Sequence, residues 1–174
     1  MGPKNSTIFI SHRDSDKTIA DIFNKTLRGW CDKQLHVFQS SDIREEGFKI
    51  GQELADTQRE ILSDASIVFL VFTSIDNDWL YCMWECGLAT NSNGADSRII
   101  VLQVGKDAPT ALEDQIHITI DRDSVRRLVH DFHKEPGFFP GYNQALASEL
   151  DEEEIEKRSD FLLDKLRNVK SMWK

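Results

Sequence analysis

The feature that most restricts the fold is an unbroken apolar run, Ser66-Ile-Val-Phe-Leu-Val-Phe-Thr73. A strand with one wet face alternates apolar and polar residues. This run does not alternate, so both of its faces must be covered. Arg98-Ile-Ile-Val-Leu-Gln-Val104 reads the same way. Two shorter β-branched segments, 7–10 and 116–120, and a weaker one at 35–38 complete a set of about five strands. Helical patterns lie between and after them. Residues 16–30 place Ile19, Ile22, Phe23, Leu27 and Trp30 on one face, and residues 52–65 do so with Leu54, Ile61, Leu62 and Ala65. A shorter helix over 79–89 carries Met83, Trp84 and Leu88. Further helices are expected over 124–133 and 150–172, the last with Ile155, Leu162, Leu166, Val169 and Trp173 in its stripe. Parallel strands need helical crossovers. The pattern therefore predicts an α/β fold: a flavodoxin-like doubly wound sheet of about five parallel strands, helices on both faces, and an extra C-terminal helix.

Composition narrows function by exclusion. A formal charge of −9 over 174 residues would repel a phosphate backbone, so direct nucleic-acid binding is not expected. No stretch approaches the roughly 18 apolar residues that span a bilayer, and no membrane association is expected. The first residues carry no apolar leader, and the cysteines number three, Cys31, Cys82 and Cys86. An odd count argues against a disulfide framework, so a reducing, cytoplasmic setting is expected. Cys82 and Cys86 read as buried thiols and not as metal ligands. The acids at Glu149 and 151–154 read as a helix start favoured by the helix dipole.

In a doubly wound sheet, ligands bind at the carboxyl ends of the strands where the strand order reverses, here between the first and third strands. The segments leaving those ends are Ser11-His-Arg-Asp-Ser-Asp16 and Thr73-Ser-Ile-Asp-Asn-Asp-Trp79. The second runs into Trp79-Leu-Tyr-Cys-Met-Trp-Glu-Cys-Gly-Leu-Ala89, in which one carboxylate stands among rings and thiols. Tyr81 and Glu85 share a helix face at i, i+4 and are expected to project together into the crevice, with Trp84 packed under the sheet.

Taken together, these residues resemble a TIR domain of the bacterial, NAD-cleaving kind. Ile8-Phe-Ile-Ser-His12 with its acidic loop resembles the opening strand of that family. Residues 37–47, with Phe38, Asp42 and Gly47, resemble its second strand and the loop after it. Family members often carry Arg-Asp and Pro-Gly in that loop, where this chain has Ser-Asp and Glu-Gly. Tyr81-Cys-Met-Trp-Glu85 resembles the Trp-Cys-x-x-Glu of the family, with Tyr81 at the Trp position. The resemblance covers about residues 6–133. It implies a TIR domain over 1–133, with 134–174 as a C-terminal extension whose one helix packs on the same domain.

The resemblance further implies NAD glycohydrolase activity, giving ADP-ribose or a cyclic isomer, in immune or anti-phage signalling. NAD would be the substrate, and no cofactor is expected. Glu85 would be the catalytic carboxylate. Tyr81 and Trp79 would stack a ring of the dinucleotide. Phe9, Ser11 and His12 would line the pocket at the end of the first strand. Arg13, Asp42, Arg44 and Lys49 fall within reach of the same crevice, the cations being candidates for the pyrophosphate. Active sites in this family are often completed between subunits, which implies a homo-oligomer or TIR–TIR assembly through the 39–50 loop and a fused or separate sensor. The competing function is a non-enzymatic adaptor acting by TIR–TIR association. A nucleoside deoxyribosyltransferase-like enzyme shares the sheet class and a glycosyl-cleaving Glu. At the level of single residues, Glu85 on a solvated helix surface, Tyr81 and Trp79 in packing, and His12 as a hydrogen-bonder at the strand end are the ordinary alternatives.

Overall fold

The computed structural model describes residues 7–30, 35–41, 52–74, 78–91, 97–105, 110–135, 138 and 150–171. Five strands form one sheet: β1 (Thr7–Ser11), β2 (His36–Gln39), β3 (Ala65–Phe72), β4 (Arg98–Gln103) and β5 (Ile116–Thr119). Every pairing is parallel and the order is β2-β1-β3-β4-β5, the flavodoxin-like order that the apolar runs predict. The helices are α1 (Lys17–Trp30), α2 (Gln52–Asp64), α3 (Leu80–Asn91), α4 (Arg122–Lys134) and α5 (Glu152–Ser171). Among the described residues, no helix is long and apolar enough to cross a membrane.

The sheet divides the core in two, and the period of the strands shows how. Ile67, Phe69 and Val71 of β3 join Ile8 and Ile10 of β1 under α1, α4 and α5. Val68, Leu70 and Phe72 join Phe9 on the other face, where α2 and α3 pack through Leu62, Cys82, Cys86 and Ala89. Successive side chains of a strand point to opposite faces, so a strand buried on both sides must be apolar at every position. β3 meets that condition: only Ser66 among its residues is more than marginally exposed.

The C-terminal helix belongs to the first of these cores. Ile155, Leu162, Leu163, Leu166 and Val169 of α5 are buried against α1 and α4. Asp151 caps the helix by accepting from the Glu154 N–H at 2.8 Å. The acids that open it meet cations on α4: Arg126 pairs with Glu152 at 2.6 Å and with Glu156 at 2.5 Å, and Arg122 reaches Glu156 at 3.2 Å. The carboxylate run thus serves docking between helices as well as the dipole. α4 is capped in turn by Asp121, which accepts from Ser124 N–H and from the Thr119 hydroxyl.

Candidate functional site

At the carboxyl ends of β1 and β3, the chain leaves the sheet in two directions and a cleft of about 260 Å³ opens. His12 to Ser15 form one wall, from the exit of β1. Asp78, Tyr81 and Cys82, from the start of α3, form the other. The crevice lies where strand order reverses, the place that the topology alone prescribes. Asp16 ties its two sides together. Buried behind the wall, its carboxylate accepts from the Thr73 hydroxyl at 3.2 Å and from Ser15 at 3.0 Å. Burial raises the Asp16 carboxyl above its ordinary range, against the opposing pull of those hydrogen bonds and of Arg13.

Glu85 has no exposed surface at all. Among the described residues, the Ser11 hydroxyl and the Gln58 amide hold its carboxylate, with a second hydroxyl nearby. The Ser11 hydroxyl donates to Oε2 at 2.5 Å, and the Gln58 amide donates to Oε1 at 2.5 Å. Ser40 Oγ stands 3.4 Å from Oε2 and 3.2 Å from the Ile10 carbonyl, so its single hydrogen is directed to one or the other. Gln58 is itself oriented: its Oε1 accepts from the Tyr81 hydroxyl at 2.6 Å. That bond and the carboxylate settle which end of the amide is which, since only the NH2 end can donate to Glu85. The charge of Glu85 also acts on its neighbours. The Cys82 thiol is pushed up to about 11 and the Cys86 thiol to about 12, chiefly by burial, with Glu85 adding to both. Both are free, buried thiols, and neither is a ready thiolate nucleophile at neutral pH.

His12 is buried between main-chain and hydroxyl partners. Its Nδ1 lies 2.8 Å from the Arg13 carbonyl, which makes that nitrogen the donor and leaves Nε2 to accept from Ser41 at 3.3 Å. Its main-chain N–H donates to Ser40 Oγ at 3.2 Å. The imidazole therefore acts as the strand-end hydrogen-bonder, while one edge still borders the cleft. Arg13 lies over the Trp79 ring at 5.4 Å from its centroid.

Several expected placements are corrected. Glu85 and Tyr81 do not project together: Tyr81 is 42% exposed on the cleft wall and Glu85 lies wholly behind it. The buried face of α3 is Cys82, Glu85, Cys86 and Ala89, and Trp84 is 38% exposed beside Tyr81 rather than under the sheet. Small thiols and a methyl let the helix axis approach the strands closely, and the large indole is left outside. Phe9 does not line the pocket, because its position in β1 turns it into the apolar core on the α2 and α3 side. Trp79 is not open to a ligand ring. One face stacks on Phe72 at 4.5 Å, Arg13 lies over the ring, and its N–H donates to the Ser74 carbonyl at 2.7 Å. His12 does sit on the cleft wall, whereas Ser11 does not line the cleft: it is fully buried behind it as a partner of Glu85. Asp42, Arg44 and Lys49 lie outside the described residues. Among the described residues, no group of three or more His, Cys, Asp or Glu is placed to hold a metal ion.

Gln58, Ser40 and Ser41 escaped the sequence reading. Gln58 left a signal: it stands four residues after Leu54 and three before Ile61, a polar residue inside an apolar helical stripe. The serines left only a hydroxyl pair after a short strand. Neither a protein-family model nor a curated protein matches the chain. Among solved structures, a Klebsiella pneumoniae protein titled "Putative quinone reductase" aligns with 94% of this chain and 85% of its own, at 9% identity and a TM-score of 0.38. A likeness of that size carries no argument about chemistry.

Proposed function

We propose that the chain is a TIR-type enzyme that cleaves the bond between nicotinamide and ribose in NAD, leaving ADP-ribose or a cyclic isomer, as an effector step in defence signalling. The observation that carries this reading is Glu85: a fully buried carboxylate held by hydroxyl and amide donors, directly behind the cleft at the switch point. A carboxylate withdrawn from water is costly to keep, and such environments concentrate at functional sites.

The chemistry asks little else of the protein. Nicotinamide departs from a cationic pyridinium and takes the electron pair of the C–N bond, leaving as a neutral molecule. No acid is needed to protonate it, unlike the oxygen leaving group of an ordinary glycoside. What must be supplied is negative charge near an anomeric carbon that becomes oxocarbenium-like, in a site from which water is largely excluded. In hydrolysis a water oxygen then bonds to that carbon and its proton is released. On this reading, ribose hydroxyls replace the serine hydroxyls at Glu85 Oε2. Tyr81 offers a ring face on the cleft wall, and Arg13 offers a cation for the pyrophosphate.

A second reading has its own observation in favour. Complete burial suits Glu85 as an internal strut tying β1, the end of β2, α2 and α3 in an adaptor that acts only by TIR–TIR association. NAD consumption by the purified chain at high concentration with a crowding agent, beside Glu85→Ala, separates the two. The enzyme reading expects NAD loss with the wild type alone. Loss with neither protein favours the adaptor, and equal loss with both removes Glu85 from the chemistry. Loss of a nucleoside in place of NAD would point to deoxyribosyl transfer.

A further inference from the structure

Glu85 uses its two oxygens differently. Oε2 faces the hydroxyls of Ser11 and Ser40, groups that a ligand hydroxyl can replace in kind. Oε1 is held at 2.5 Å by an amide that is itself buried and takes no part in lining the cleft. The far end of that amide is fixed by Tyr81, whose ring stands on the cleft wall. We propose that Gln58 is the positioning residue of the site: the relay from the Tyr81 hydroxyl through the Gln58 amide to Glu85 Oε1 anchors one carboxylate oxygen so that the other can exchange partners without the carboxylate turning. The proposal rests on the NAD reading for its catalytic consequence but not for its geometry.

The physical reason is preorganisation. A glutamate on a helix has three rotatable bonds, and displacing the hydroxyl partners of one carboxylate oxygen would let the group swing unless its other oxygen is held. A second, independent donor on the other oxygen removes that freedom before the ligand arrives. Gln58 suits the role because it belongs to α2, a different element from both α3 and β1, so its position does not follow a local adjustment of either. Its own rotamer is fixed at both ends, and it presents no charge that would form an ion pair with Glu85 and quench it.

Two experiments test this on the intact chain. The first is steady-state kinetics with NAD. Gln58→Leu is expected to lower kcat by about 10- to 100-fold with little change in KM, because a misplaced catalytic group loses rate and not substrate affinity. Tyr81→Phe, which keeps the half-exposed ring and removes only the hydroxyl, is expected to lower kcat in the same direction. The double variant is expected to have a kcat no lower than that of Gln58→Leu alone, since both act through one relay. A Gln58→Leu kcat within about twofold of wild type, or fully multiplicative losses in the double variant, overturns the proposal.

The second measurement needs no activity: thermal melts of Gln58→Leu, Glu85→Leu and the pair. Each single change leaves the other member of the Gln58–Glu85 pair buried without that partner, whereas the double change removes both and adds no loss at Ser11 or Tyr81 beyond those of the single changes. The double variant is therefore expected to melt well above the temperature that summing the two single losses gives. Strictly additive losses in Tm overturn the relay. If no protein consumes NAD, the NAD reading has failed and the melts alone decide the role of Gln58.

Discussion

Single positions at the crevice are constrained by what their atoms meet. Gly105 follows β4 at the point where Val104 N–H donates to the Phe72 carbonyl at 2.8 Å. A Cβ at Gly105 would lie 2.6 Å from the Thr73 carbonyl oxygen, a main-chain atom that cannot swing aside. Gly105→Ala must therefore push the exits of β3 and β4 apart, and it is expected to destabilise the fold by about 1–3 kcal/mol, as overpacking does. A lower urea midpoint with an unchanged slope would register this; an unchanged midpoint would mean that the strand ends yield freely. Nothing in the sequence marks this glycine off from the others. Its requirement comes from a strand in contact only through the fold. Glu85 is the opposite case, since its oddity is plain in the sequence while its burial and donors are not.

At the scale of elements, α5 is the instructive one. Its stripe is readable from spacing alone, and the fold places that stripe against α1 and α4. Leu162 is fully buried there, so Leu162→Ala is expected to cost about 2–5 kcal/mol through lost burial and the cavity left behind. The ion pairs between α4 and α5 lie at the surface and contribute less: Arg126→Ala, which removes the pairs to Glu152 and Glu156, is expected to cost about 1 kcal/mol or less. Equilibrium denaturation of both variants compares them. A larger loss for Arg126→Ala would mean that charge, not burial, holds the helix in place. α3 teaches the converse. Its spacing predicts a helix correctly, but its apolar residues point nearly all round, so periodicity could not choose the buried face. The choice fell to the small side chains Cys82, Cys86 and Ala89.

For the whole molecule, the pH dependence of stability is expected to carry the mark of His133. This residue is buried at the end of α4 with rings of Trp30 and Phe132 against it. Arg158 lies 3.2 Å from its Nε2, which must therefore accept, and its buried Nδ1 has no hydrogen-bond partner among the described residues. Burial first, and the nearby Arg158 and Lys134 after it, lower the histidine to about 4. An unfolded histidine titrates near 6.5. Between those values the unfolded chain binds a proton that the folded chain refuses. Stability should thus fall as pH drops from about 6.5 to about 4, by up to roughly 3 kcal/mol, and be level in this respect above that window. The raised Asp16 works in the opposite sense just above the usual carboxylate range. Comparison with His133→Phe therefore isolates the effect: the variant should show a flatter slope over that window. Equal slopes would mean that His133 is not what makes the fold acid-sensitive.

The strand count, the parallel sheet, the helices between strands and the crevice between β1 and β3 were all legible in the order of residues. Each depends on local periodicity, and local periodicity reports which faces must be buried. His12, Arg13 and Tyr81 could be assigned to the crevice because topology sends the end of β1 and the start of α3 there. Which way a side chain turns once it arrives is a different kind of question. Phe9 and Trp79 went to packing, Trp84 went outward, and Glu85 went inward to Ser11, Ser40 and Gln58, residues 74, 45 and 27 positions away along the chain. No local pattern encodes such meetings. They follow from how closely α3 can approach the sheet, and that distance is set by side chains from four separate elements packed at once.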